Sequence, residues 1–349
     1  MRRSAVRPSL GAFIAFILLL SAPAFSKDVV VGVSWSELTE ERGRIDEPAI
    51  RTAVERAGAK YISVDAHGAA DKQIADVEGL QAAGANALIV VAVDAGALGP
   101  AIKKCTEAGV SVIAYLRPIE DTAVLYVGVD EVAAGRAMTQ ELMKLQTTGD
   151  YALLRGVKSD MAAARVASGV LEALKPAVDS AKIRVIVDVA AEGPGADDAR
   201  KSLVQALKKT RNKIDAVVVG GDGGAAGAFE ALKSQGLAGA VPLAGRDADP
   251  HAIARVATGL QAVAVWSDQR ELGRIAAEAA IVMAGGRKPA EIRGAKAFES
   301  APHHTKISAI LQAPIAITRE NLAATFARGR IRAEDVCPGL KPGAFAFCK

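Results

Sequence analysis

Aromatic residues are scarce in this chain, only 4% of its 349 positions, and no long run of either charge sign interrupts it. With 43 basic against 39 acidic residues, a net charge of +4 and few rings to stack on bases, the composition gives no clustered basic face for nucleic acid. Histidine is equally thin: four in all, with His303 and His304 adjacent, which supplies no metal-ligand spacing. Three cysteines exclude a disulfide-built scaffold. Cys337 and Cys348 bracket PGLKPGAFAF and leave two readings open, a disulfide pinning the tail or two free thiols. Cys105, within the helical pattern AIKKCTEAG, reads as a small buried apolar residue rather than a nucleophile. Long apolar runs are missing as well. The longest, GAFIAFILLL from Gly11 to Leu20, is about half of what a bilayer span needs.

That run is informative in another way. Arg2, Arg3 and Arg7 precede it, and SAPAFS follows with small residues at Ala22, Ala24 and Ser26. The arrangement is that of a secretory signal peptide over residues 1–26, which places the mature chain, beginning near Lys27, in a bacterial periplasm.

The remainder is rich in hydrophobic residues and says the same thing twice. From Val29, short β-branched runs (VVVGVSW, KYISVDA, ALIVVAV, VSVIAYL) alternate with segments carrying apolar residues at helical spacing. From Tyr151 the order returns, with YALLRGV, KIRVIVDVA, AVVVGG and VPLAG as the strands. Alternation of strand and helix implies parallel sheets with right-handed crossovers, hence an α/β chain of two Rossmann-like lobes. Ligands in such sheets bind beyond the carboxyl ends of the strands, so facing lobes create a cleft.

The stretch VVVGGDGGAAG, from Val217 to Gly227, poses the main functional choice. Gly221, Gly223 and Ala226 satisfy the G-x-G-x-x-G/A pattern of a dinucleotide turn, and Asp247 follows the next strand, where a ribose-binding acid would stand. Asp222, however, puts a carboxylate between the first two glycines, where it would repel a pyrophosphate. The other reading makes Asp222 and Asp247 acceptors for the hydroxyls of a polyhydroxylated ligand, with the glycines bringing backbone close. Asp222 also reads as a helix cap, as do Asp94 and Asp160. Glycoside hydrolysis by the Asp222 and Asp247 pair is the weaker alternative, because a repeated two-lobed chain gives these acids no asymmetry of role.

The second half carries a resemblance. ALKPAVDSAKIRVIVDV and NKIDAVVVGGDGGAAGAFEALKSQGLAGAVPLAGRDADPHAIARVATGLQAVAVW, with SELTEER, YLRPI and LYVGVDEVAAG in the first half, resemble the xylose-binding branch of the ribose-type (type I) periplasmic sugar-binding proteins. The resemblance implies two lobes joined by a three-strand hinge, with crossings near Val127 to Asp130, Val265 to Asp268 and Ala313 to Ile315. It divides the chain into an N-terminal lobe of 27–129 plus 268–312 and a C-terminal lobe of 130–267 plus 313–349. It implies a binding protein, not an enzyme, that uses no cofactor, acts as a monomer and delivers a monosaccharide to the permease and ATPase of an ABC importer. A periplasmic receptor is the alternative docking partner.

Carried over residue by residue, Arg42, Arg117 and Asp247 match the family's ligand contacts. Asp222, Asp160, Arg246 and Ser267 join them as candidates, and Trp35, at a strand end, is a candidate stacking surface. The pattern departs elsewhere. Leu116 stands where an aspartate is expected, Met161 and Ala162 where asparagines are, Pro194 for a tryptophan, Gly221 for an asparagine and Ser267 for a lysine. Those losses leave a pocket richer in arginine, so Arg42, Arg117 and Arg246 together suit a sugar acid or another anionic metabolite.

Overall fold

The computed structural model describes residues 29–38, 44–158, 160–193 and 195–327, together with Ala333, Cys337, Gly343 and Cys348. Strands β1 (Val30–Trp35), β2 (Lys60–Asp65), β3 (Ala87–Val90), β4 (Ser111–Tyr115) and β5 (Val124–Val129) alternate with helices α1 (Asp46–Arg56), α2 (Ala70–Ala82) and α3 (Ala95–Glu107). The chain then crosses to a second unit. There α4 (Glu131–Leu145), β6 (Gly149–Val157), α5 (Met161–Asp179), β7 (Ile183–Ala191), α6 (Ala196–Thr210), β8 (Ala216–Val219), α7 (Asp222–Ser234), β9 (Leu243–Arg246), α8 (Pro250–Thr258) and β10 (Val263–Trp266) follow in order. It returns through α9 (Gln269–Ala284), β11 (Lys296–Glu299) and β12 (Lys306–Gln312), and crosses a third time into β13 (Ile315–Ile317) and α10 (Leu322–Ala327).

Two sheets result. The first, of lobe 1, has the order β11-β12-β5-β4-β3-β1-β2, and the second, of lobe 2, has β13-β10-β9-β8-β6-β7. The β3 run Ala-Leu-Ile-Val and the β8 run Ala-Val-Val-Val are wholly buried, as parallel strands covered on both faces must be. The sheets are not purely parallel, which strand-helix alternation does not reveal. β11 pairs antiparallel with β12, because a short turn rather than a helix joins them, and β13 pairs antiparallel with β10 after the third crossing.

Large buried rings are few but central: Trp35, Tyr115 and Tyr151 are each fully enclosed. Helix starts are set by aspartate. Asp94, Asp130, Asp160, Asp249 and Asp268 cap α3, α4, α5, α8 and α9, each accepting a hydrogen bond from a main-chain N–H two or three residues on. Each such cap stabilises its helix by about 1 kcal/mol and fixes where the chain turns away from the strand end. Cys337 and Cys348 form a disulfide, settling the choice left by the sequence, while Cys105 is a buried free thiol.

The three crossings are tied together by one residue. The Gln312 carbonyl accepts from the Asp130 N–H at 3.0 Å, while its side-chain amide accepts from the Asp268 N–H at 2.8 Å and donates to the Asp268 carbonyl at 3.0 Å. Trp266, next to the second crossing, is buried with Ile315 and Ile317 and packs there rather than facing ligand.

Candidate functional site

The strand ends of both sheets open onto a cleft of about 940 Å³. Its walls come from the segments after β3 and β4 in lobe 1, and from the ends of β6, β9 and β10 with the first turns of α4 and α5 in lobe 2. This is the position where parallel α/β sheets bind ligands.

The two halves meet the cleft through equivalent turns. Leu116 follows β4, and its N–H donates to the Val127 carbonyl on β5 at 2.9 Å; Asp247 follows β9, and its N–H donates to the Val265 carbonyl on β10 at 2.8 Å. Both adopt positive φ, +65° at Leu116 and +96° at Asp247. Such a conformation is uncommon for an aspartate and strained for a leucine, and backbone of this kind concentrates at binding sites. The internal repeat therefore puts Asp247 opposite Leu116, one position before Arg117.

Asp247 is 55% exposed at its side chain, with Oδ1 3.2 Å from Arg246 Nε. A Cβ at Gly221 would lie 3.3 Å from Asp247 Oδ2, so the glycine leaves that oxygen uncovered. Arg117 is exposed at the cleft and anchored by a 2.7 Å hydrogen bond from Nη1 to the Ala92 carbonyl, which leaves the rest of its fork for a ligand. Asp160 faces the cleft while its Oδ1 accepts from the Ala162 N–H at 2.8 Å, so capping and lining coincide in one side chain. Ser267 and Met161 also line the cleft.

Two candidates require correction. Trp35 is fully buried in the lobe 1 core, packed with residues such as Val33, Ile50 and Tyr115, so its ring presents no face to a ligand. Arg246 reaches the cleft already ion-paired: Nη1 donates to Glu131 Oε2 at 2.5 Å, and Nε lies 3.2 Å from Asp247 Oδ1 without making a hydrogen bond among the described residues. Burial works to lower the Arg246 pKa, but Asp247, Glu131 and Asp160 outweigh it and hold the group firmly protonated. Burial raises the Glu131 pKa, and the attraction of Arg246 only partly offsets this. Arg246 is thus an internal counter-ion and not a member of a free arginine cluster. Arg42 and Pro194 lie outside the described residues. Asp222 is the first residue of α7 behind the N-cap Gly221, and its side chain is outside the described set.

Several lining residues escaped the sequence reading. Arg165 projects from α5 so that its guanidinium carbon sits 4.4 Å from the ring centroid of Phe298 on β11, a cation–π contact that joins the lobes. Phe298 in turn packs on Tyr126, with centroids 5.2 Å apart. The Gln269 Oε1 is buried at the cleft wall and has no hydrogen-bond partner among the described residues. A signal for Arg165 existed: Met161, Ala164, Arg165 and Ser168 recur at helical spacing and all line the cleft.

The periplasmic binding protein domain family matches residues 31–288 of this chain. The D-xylose-binding periplasmic protein of Escherichia coli is 33% identical over 274 residues, covering 78% of this chain and 83% of that one. The D-xylose-binding periplasmic protein of Haemophilus influenzae is 29% identical over 322 residues, with 92% and 95% covered. Among solved structures, an ABC transporter solute binding protein from Clostridium phytofermentans with bound β-D-glucose has a TM-score of 0.72 at 21% identity, covering 88% of this chain and 99% of that one, a likeness of fold. The Caulobacter myo-inositol binding protein bound to myo-inositol has a TM-score of 0.65 at 25% identity, with 88% and 98% covered. With two lobes, three crossings and a charged cleft at the strand ends, the chain belongs to the periplasmic binding protein domain family, type I in fold.

Proposed function

We propose that this protein captures a monosaccharide or a sugar-like polyol in the interlobe cleft and delivers it to the permease and ATPase of an ABC importer. The observation that carries this reading is the distribution of polar groups over both walls. Arg117 and Gln269 come from lobe 1, and Asp160 and Asp247 come from lobe 2. A ligand that touches both lobes favours the closed state over the open one, which is the thermodynamic requirement for capture by hinge bending. Hydroxyl groups match these residues: carboxylates accept from them and guanidinium N–H groups donate to them.

In this reading the lobes are 27–129 plus 268–312 and 130–267 plus 313–349, the protein acts as a monomer, and residues 1–26 direct export to the periplasm. The xylose-binding relatives support a pentose as the first ligand to try. The test is a thermal-shift screen of the purified protein against pentoses, hexoses, polyols and nicotinamide dinucleotides. A ligand that binds only the native state raises Tm by mass action. A shift with sugars or polyols and none with dinucleotides is expected; a shift with a dinucleotide alone would overturn the reading.

A further inference from the structure

We infer that the ligand is a sugar acid whose carboxylate is received by Arg117 and Arg165, with its hydroxyls directed to Asp160 and Asp247. This rests on the proposed function and narrows the substrate class of the same site.

The argument is one of charge left over. On the lobe 2 wall, Arg246 is shared between Glu131 and Asp247, so the acids Glu131, Asp160 and Asp247 outnumber the cations Arg246 and Arg165. On the lobe 1 wall, Arg117 carries the one charge among the described lining residues, since Leu116 occupies the place corresponding to Asp247. Among the described residues no carboxylate lies within ion-pair distance of Arg117 or Arg165: the first is held by the Ala92 carbonyl, the second by the Phe298 ring.

Both arginines line the same cleft. Arg165 lies over Phe298, Phe298 packs on Tyr126, and the Tyr126 hydroxyl donates to the carbonyl of Leu116, the residue before Arg117, at 3.3 Å. Two cations without a counter-ion among the described residues in a part-dehydrated cleft form an anion seat, and guanidinium forks match a carboxylate in two-point geometry. The cleft therefore carries its cations at Arg117, from lobe 1, and at Arg165, which reaches from lobe 2 onto Phe298 of lobe 1, and its acids at Asp160 and Asp247. A molecule with a carboxylate at one end and hydroxyl donors at the other complements it; a neutral sugar gives the arginines hydroxyl acceptors but no opposite charge.

The test is calorimetric titration of the purified protein with matched pairs, D-xylose against D-xylonate and D-glucose against D-glucuronate, with glucose 6-phosphate as a second anion. The acid of at least one pair is expected to bind about tenfold or more tightly than its neutral partner. Arg117→Gln and Arg165→Gln should each shrink that advantage, lowering affinity for the acid more than for its neutral partner. Leu116→Asp should abolish it, by giving Arg117 a neighbouring carboxylate. Aspartate tolerates the positive φ at that position better than leucine does, so this variant remains informative if Arg117→Gln fails to fold. Neutral sugars binding as well as or better than their acids would overturn this inference and leave the proposed function standing. Binding of the phosphate but neither acid, or of no compound in either series, would overturn the carboxylate assignment, while the proposed function is decided by the thermal-shift screen.

Discussion

Gln312 holds Asp268 at both its N–H and its carbonyl, so two of the three crossings between the lobes are locked to each other by a single side-chain amide. The Gln312 main chain meanwhile binds Asp130 at the remaining crossing. A substitution here acts on the hinge without touching the ligand. Gln312→Leu leaves a part-buried N–H and a carbonyl without partners, a loss of about 1–3 kcal/mol. The denaturation midpoint should fall accordingly. Small-angle scattering of the ligand-free variant should show a wider spread of interlobe separation than the parent.

Glu131→Ala should cost about 2 kcal/mol in urea denaturation, less than for a fully buried pair, because Asp247 stays beside Arg246. Its pH signature is distinctive. Burial keeps the Glu131 carboxyl above its ordinary pKa, so the folded state takes up this proton more readily than the unfolded one. The contribution of Glu131 to stability is therefore present below the unfolded value and declines as pH rises through the folded one. The alanine variant should lack that decline.

Glu120 carries the opposite sign. Desolvation pushes its carboxyl up, but hydrogen bonds from the His303 ring, the Ser300 hydroxyl and the His303 main-chain N–H outweigh it and hold the pKa below the ordinary carboxylate value. The stabilisation is complete above the unfolded value and is lost as pH falls through the folded one. Glu120→Gln should flatten the acid limb of a Tm-versus-pH curve below about pH 4.5. An unchanged acid limb would show that these bonds contribute nothing.

Helices α4 and α5 touch backbone to backbone at two glycines. A Cβ at Gly169 would stand 1.9 Å from the Val132 carbonyl oxygen, and one at Gly135 would stand 2.0 Å from that of Val166. Gly169→Ala must push the helices apart at a cost of about 1–3 kcal/mol. Because α5 carries Asp160 at its cap and Arg165 one turn before Gly169, the same change should weaken ligand binding. Gly99→Ala is the matched control. It lies within α3 with nothing inside 4 Å of the added methyl, and should be neutral or stabilising by about 0.5–1 kcal/mol.

Periodicity alone made the repeated strand-helix order readable, because buried parallel strands such as β3 and β8 are continuous apolar runs. What escaped it was direction. Nothing in KAFE or IAI says that β11 and β13 run antiparallel, since that depends on how the chain returns from the other lobe. At the site, Arg117 and Asp247 came from the family resemblance, with Asp160 and Ser267 as further candidates, and all four line the cleft. The place of Trp35 was not legible, because the face a strand-end ring turns to depends on the packing of helices distant in sequence. Arg165 and Phe298 meet across separate lobes, a contact no local pattern encodes. Arg246 looked free until Glu131, from the far side of the first crossing, was placed against it.

Leu116 has a consequence for engineering. A leucine held at a φ of +65° spends conformational energy that glycine or asparagine would not. Replacing it with either should give a sturdier protein that is also a poorer receptor, since the apolar surface beside Arg117 would go with the strain. Consensus-style stabilisation of this chain would then select against the residue that most sets its cleft apart from the mirror position in the other lobe.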